Sequence, residues 1–225
     1  GELPARINSL DNLFALTISY NKLSGLTDLS GLSNLNYLWL SNNELSFGDL
    51  QQLNIAPAAL DFNYDSQTLL GAPARTDNGN GTSTLTITTD GTGNTYQWFN
   101  DGDTLVGQTG PSLIVNNNDQ GIYSCEVYNQ GFPDLTLSTE PLLVNLTITN
   151  GVIDAEYNAL LSLYISLTGS KWIQKDNWLT DTDVGTWYGI TTYNYHVTEI
   201  KLYYNDLSGV IPTEIGAFSK LESLY

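Results

Sequence analysis

The chain is poor in basic residues, thiols and imidazoles. It carries 7 Lys and Arg against 24 Asp and Glu, a formal net charge of −17 over 225 residues. Phosphate recognition needs clustered Lys and Arg, so nucleic acid is excluded as a partner, and anionic membrane surfaces are disfavoured for the same reason. Lysine is absent from residues 23–170, which excludes a Lys–Asn isopeptide staple in that stretch. Cys125 is the only cysteine, so no internal disulfide can form. His196 is the only histidine, and one His with no Cys nearby cannot build a zinc site. Apolar runs are all short. None is long enough for direct membrane insertion, and no signal peptide is present, as expected equally of a mature or excised segment. A G-x-S-x-G elbow and a phosphate-cradling glycine loop are missing too.

What remains is a patterned apolar content of 41%. Residues 1–16 and 209–224 share one phrase: Gly1, Pro4, Ile7, Leu13 and Leu16 match Gly209, Pro212, Ile215, Leu221 and Leu224. Residues 1–70 hold L-x-x-L-x-L-x-x-N-x-L twice, as Leu13, Leu16, Ile18, Asn21, Leu23 and as Leu35, Leu38, Leu40, Asn43, Leu45. A degenerate third copy reads Leu60, Phe62, Asp65, with Ile18, Leu40 and Phe62 in one row and Asn21, Asn43 and Asp65 in another. Alternating Leu-x-Leu predicts a short strand with one buried face. The Asn amide then turns inward to satisfy buried backbone groups.

Residues 71–147 show short β-rich runs separated by turn signals such as Asp90-Gly91, Asp101-Gly102 and Gln120-Gly121. The run Asp119-x-Gly121-x-Tyr123-x-Cys125 predicts a buried free thiol packed against Trp98 and Ile87. Residues 153–196 open with Asp154 as a helix cap before Tyr157, Leu160, Leu161, Tyr164 and Leu167, with Gly169 as the stop. A Trp-rich stretch follows, to be held by Trp172, Trp178 and Trp187. Residues 197–225 return to the first pattern. The short junctions at 68–72 and 147–152 predict restricted hinges.

The repeated motif is the leucine-rich repeat signature, with a period inside the usual window for that family. The Tyr123–Cys125 run resembles strand F of immunoglobulin-like domains, with Trp98 at the core Trp position and Ile87 in place of the partner Cys. Trp187-x-Gly189-Ile190 resembles the N-terminal cap of plant-type leucine-rich repeats, with Gly185 and Thr192 where the flanking cysteines would stand. The combination is similar to large extracellular proteins of Bacteroidetes-type bacteria. The fold class this implies is mixed and β-dominated: a leucine-rich repeat solenoid segment, an immunoglobulin-like β-sandwich, and a helical cap leading into a second solenoid. The implied function is a non-enzymatic segment of a surface or secreted adhesin or filament, with a ligand-binding receptor ectodomain or a targeting module of a secreted hydrolase as alternatives.

In that geometry the outward positions form a concave recognition face. They are Thr17 and Ser19, Trp39 and Ser41, Asp61 and Asn63 in the first repeat run, and Lys201 and Tyr203 in the second. Trp39 flanked by hydroxyl and carboxylate side chains suits stacking on a sugar or an aromatic side chain. Expected partners are protein or glycan ligands, and copies stacked end to end through Leu-rich edges at Gly1 and Tyr225. The expected location is extracellular or at the cell surface. No cofactor is expected, beyond weak calcium binding at residues 100–103 or 180–183. Asn80-Gly81-Thr82 and Asn145-Leu146-Thr147 are formal glycosylation sequons.

Overall fold

A computed structural model describes residues 1–55 and 60–225. The chain divides into two compact units, Gly1–Val144 and Asn145–Tyr225. The first begins with Pro4 leading into a single 3-10 turn, Ala5–Ser9. Strand β1 (Ala15–Thr17) and strand β2 (Tyr37–Trp39) follow, then helix α1 (Phe47–Gln51) and strand β3 (Asp61–Asn63). The three strands pair in parallel, in the order β1-β2-β3. Leu16, Leu38 and Phe62 stand opposite one another on the inner face. Helix α1 starts at a reciprocal cap: Ser46 Oγ accepts from Asp49 N at 3.1 Å, and Asp49 Oδ2 accepts from Ser46 N at 2.8 Å. That cap turns Phe47 and Leu50 inward, where both are buried.

The third rung sits two residues later than even spacing predicts. Thr17 faces Trp39, and Trp39 faces Asn63, so 22 residues separate the first pair and 24 the second. The left-handed residues Tyr20, Asn42 and Ser66 repeat with the same offset. Phe62 therefore aligns with Leu38 rather than Leu40. Gln67, not Asp65, takes the inward amide role. Its Nε2 donates to Leu40 O, Tyr64 O and Asp65 O, as Asn43 Nδ2 donates to Ile18 O, Leu40 O and Ser41 O one rung earlier.

The rest of this unit is antiparallel. Strands β4 (Ala74–Asp77), β5 (Thr82–Thr86) and β8 (Ser112–Asn116) form one sheet, in that order. Strands β6 (Asn94–Asn100), β7 (Asp103–Thr104), β9 (Gly121–Asn129), β10 (Thr136–Ser138) and β11 (Leu142–Val144) form the other, with both β10 and β11 on one edge of β9. Leu85, Leu113 and Val115 from the first sheet share a core with Trp98, Tyr123, Cys125 and Val144 from the second. Trp98 lies opposite Cys125, and its indole donates to Gly110 O at 2.9 Å. Ile87, just past β5, joins the same core, so the expected Cys125, Trp98 and Ile87 cluster is present.

The junction at 68–72 between the parallel sheet and the antiparallel pair is pinned by backbone hydrogen bonds. Leu70 N donates to Ser138 O at 2.8 Å, and Glu140 N donates to Leu70 O at 2.9 Å. Phe132 stacks on Phe47 at 6.2 Å and meets Tyr64 edge-on at 5.4 Å. Leu135, Leu137 and Val127 enter the same core as Leu38 and Leu40. Such aromatic pairs contribute about 0.5–1.5 kcal/mol each beyond area burial.

The second unit opens with a hairpin, β12 (Ile148–Thr149) and β13 (Val152–Ile153), across Asn150-Gly151. Both turn residues have positive φ, as a two-residue hairpin loop demands. Helix α2 (Asp154–Ser166) follows. Asp154 does not cap it; the carboxylate instead accepts from Thr147 Oγ1 and from Thr149 Oγ1, tying the hairpin to the first turn. Those hydrogen bonds, Thr147 first, lower the Asp154 pKa below the usual carboxylate range. Strands β14 (Ile190–Tyr193) and β15 (His196–Ile200) are antiparallel, and β16 (Ser223–Leu224) joins β15 in parallel. Trp172, Trp178 and Trp187 fill the core between helix and sheet, with successive ring centroids 5.0 Å apart. Asn205 clamps the Trp-rich loop: its amide donates to Gln174 O at 2.7 Å and accepts from Gln174 N at 2.6 Å.

The expected fold class is thereby corrected. The expected mixed, β-dominated composition fits, but the described residues form a β-rich fold of five small sheets and two α-helices in which no solenoid is indicated. A solenoid stacks equivalent units along one continuous core. Here parallel stacking stops after three three-residue rungs, the last one displaced, and the core then passes into the antiparallel sheets. In the second unit the parallel pairing covers two residue pairs, beside a hairpin.

Candidate functional site

The exposed face of β1-β2-β3 carries an aromatic row. Alternation along β2 sends Leu38 inward and leaves Tyr37 at 39% and Trp39 at 41% exposure. Phe14, just before β1, is 56% exposed and meets Tyr37 edge-on with centroids 5.4 Å apart. Its carbonyl accepts from Asn36 N at 2.9 Å, which fixes Phe14 at the end of the first rung. Polar side chains frame the rings. Across the strands, Thr17, Trp39 and Asn63 share one row, and Ala15, Tyr37 and Asp61 share the next.

The two-residue offset changes which expected site residues meet. Even spacing would have placed Asp61 beside Trp39; the structure places Asp61 beside Tyr37 and Asn63 beside Trp39. Ser41 is not on the face. It is buried, and its hydroxyl donates to Ser19 Oγ at 3.0 Å, because the chain turns inward at Asn42. Thr17, Trp39, Asp61 and Asn63 remain exposed, with Ser19 half-buried. Tyr37 and Phe14 were not among the residues the pattern singled out, although Tyr37 occupies an outward alternation position next to Trp39. Only rings with exposed faces offer a stacking surface, and three of them now stand together.

In the second unit Lys201 and Tyr203 are both exposed. Lys201 Nζ lies 2.8 Å from Glu199 Oε2 and 5.8 Å from the centre of the Tyr225 ring. Glu199 pushes the Lys201 pKa up. Tyr203 meets Tyr204 edge-on at 5.6 Å. This is a second aromatic patch, with an ammonium already neutralised by a carboxylate.

His196 is buried at 3% exposure, with Nδ1 2.8 Å from Glu156 Oε1. Glu156 Oε2 accepts from Val197 N at 2.6 Å. The only imidazole is thus held inside the helix–sheet core. Of the two Asp-rich stretches, Asp101 Oδ1 accepts from Ile122 N at 2.9 Å and Asp183 Oδ1 from Gly185 N at 2.8 Å. Their carboxylates fix local backbone. Among the described residues no group of three or more His, Cys, Asp or Glu side chains converges on a common point. No helix among them is long and apolar enough to cross a membrane.

Comparison with known protein families, with curated proteins and with solved structures finds no match for this chain.

Proposed function

We propose that the protein is a non-enzymatic recognition segment of a surface or secreted protein, and that it binds its ligand on the exposed face of β1-β2-β3. The observation that carries this reading is the row Phe14, Tyr37 and Trp39, open to solvent on a rigid sheet and framed by Thr17, Asp61 and Asn63. Flat rings held by backbone pairing lose little entropy on contact, which suits binding of a sugar ring or an aromatic side chain. The charge of −17 favours neutral or cationic ligands over polyanions. The shared core between the parallel and antiparallel sheets supports the face from behind.

The test is adhesion of the chain, displayed on beads, to bacterial or host-cell surfaces and to arrayed neutral glycans and proteins. Trp39→Ala and Tyr37→Ala are expected to abolish capture while the circular dichroism spectrum is unchanged. Capture that survives both substitutions overturns the reading.

A further inference from the structure

We infer that Asn80-Gly81 is a self-modifying site, at which the folded chain deamidates through a cyclic imide in preference to its other Asn-Gly pairs. The hairpin between β4 and β5 carries two such pairs in tandem, Asn78-Gly79 and Asn80-Gly81, all exposed. A third, Asn150-Gly151, forms the turn between β12 and β13. The reaction needs a polarised side-chain carbonyl, an uncommitted glycine N–H, and freedom for the two to meet.

Asn80 meets these needs. Its Oδ1 accepts from Thr82 N at 3.1 Å and from Thr82 Oγ1 at 2.7 Å. Two donors on that oxygen stabilise the negative charge that develops as a nucleophile adds to Cγ. Gly81 has φ +84 and no side chain to obstruct approach, and no hydrogen bond from its N–H is found among the described residues. Asn78 is committed elsewhere: Nδ2 donates to Thr82 Oγ1 at 2.9 Å, and Oδ1 accepts from Thr84 Oγ1 at 3.1 Å. The Gly79 N–H donates to Asp77 Oδ1 at 2.9 Å, so attack would first break that bond. Asn150 is tied to Thr180 O at 3.3 Å, its carbonyl accepts from Val184 N at 2.8 Å, and the Asp183 carboxylate crowds Gly151.

The chemistry balances with water alone. The Gly81 nitrogen loses its proton and forms a C–N bond to Asn80 Cγ; the Cγ–Nδ2 bond breaks and the amide leaves as ammonia. Water then opens the imide at either carbonyl. One product is aspartate with the original backbone, and the other runs the backbone through the side chain. Either adds one negative charge and destroys the Asn80-Gly81-Thr82 sequon. The second also lengthens a hairpin whose outer strand, β4, pairs only with β5 among the described residues.

The test is peptide mapping by mass spectrometry, with fragmentation that separates aspartate from isoaspartate, on the folded chain held at mildly alkaline pH. Position 80 should convert while positions 78 and 150 keep their amides. Gly81→Ala should slow conversion several-fold. Thr82→Ser should preserve it, whereas Thr82→Val should slow position 80, release Asn78 and erase the preference. In denaturant, positions 78 and 80 should converge in rate. The inference is overturned if 78 or 150 converts as fast as 80 in the folded chain, if Thr82→Val leaves rate and preference unchanged, or if the same preference persists unfolded.

Discussion

Gln67 reaches back one rung to Leu40, its Nε2 donating to Leu40 O at 3.1 Å while its Oε1 accepts from Leu45 N at 3.1 Å. With further bonds to Tyr64 O and Asp65 O, this one amide holds four backbone groups beneath the turn, of which Leu40 O alone is shared with Asn43 Nδ2. Leaving buried backbone groups unpaired costs about 1–3 kcal/mol. Gln67→Ala should therefore destabilise the first unit by about that much in urea unfolding followed by Trp98 fluorescence. Asp65→Ala, which removes no amide bridge, should stay within about 0.5 kcal/mol. The reverse order would refute the two-residue offset.

In the second unit Glu156 is fully buried, yet it serves two groups at once, Val197 N and His196 Nδ1. Breaking a buried pair by removing one partner costs about 3–5 kcal/mol. Glu156→Ala should cost in that range, and Glu156→Gln distinctly less, since an amide oxygen still accepts from Val197 N. Thermal unfolding read through Trp178 and Trp187 checks both. Equal effects from the two variants would mean that packing volume, not the polar contacts, is what Glu156 supplies.

The matching ends of the chain should respond differently to one substitution. Gly209 has φ +136, and a Cβ there would lie 1.9 Å from Ser166 O at the end of α2. A Cβ added at Gly1 would meet nothing within 4 Å. Gly209→Ala forces either backbone strain of about 1–3 kcal/mol or withdrawal of the 209–217 segment from the helix. Gly1→Ala should be silent. Hydrogen exchange at Ser208, whose N–H bonds Leu167 O at 3.3 Å, reports the separation directly. Unchanged protection in Gly209→Ala would show that the close approach is dispensable.

Much of this was legible because it depends on local alternation. Leu16 and Leu38 read as inward and Trp39 as outward; the match of Pro4 with Pro212 was also visible, though not the 3-10 turn that each opens. The offset was not legible, because Phe62 and Asp65 continue the even spacing while Gln67, one methylene longer than Asn, does the work at the displaced rung. Ser41 looked outward by alternation, but Asn42 in the left-handed region turns the chain just beyond it. Glu156 was not singled out at all: buried carboxylates are rare, and its partner lies 40 residues away. The merger of the two sheets in the first unit rests on Phe47, Tyr64 and Phe132 meeting across long sequence separations, which no local period encodes. The aromatic face was half visible: Trp39 stood out, and Tyr37 and Phe14 joined it only once the rungs were in register.

Cys125 tests that core through pH. Burial pushes its thiol from the ordinary 9.0 up to about 12, outweighing a backbone hydrogen bond that lowers it. Burial also raises Tyr123, with the Asp119 charge adding to the effect. A group that holds its proton more tightly when folded contributes stability below its unfolded pKa, and that contribution drains as pH climbs toward the folded value. The first unit should thus be insensitive to Cys125 ionisation below about pH 9 and lose stability progressively between there and about pH 12. Cys125→Val keeps the site apolar and removes the titrating group, so its alkaline slope in urea midpoint against pH should be shallower than that of the parent chain. In the same core the thiolate is scarce and shielded, so a thiol reagent at pH 8 should leave the folded protein unlabelled and label it rapidly in denaturant. Fast labelling of the folded chain, together with identical alkaline slopes for parent and variant, would place Cys125 outside the sealed core that Trp98 and Leu85 define.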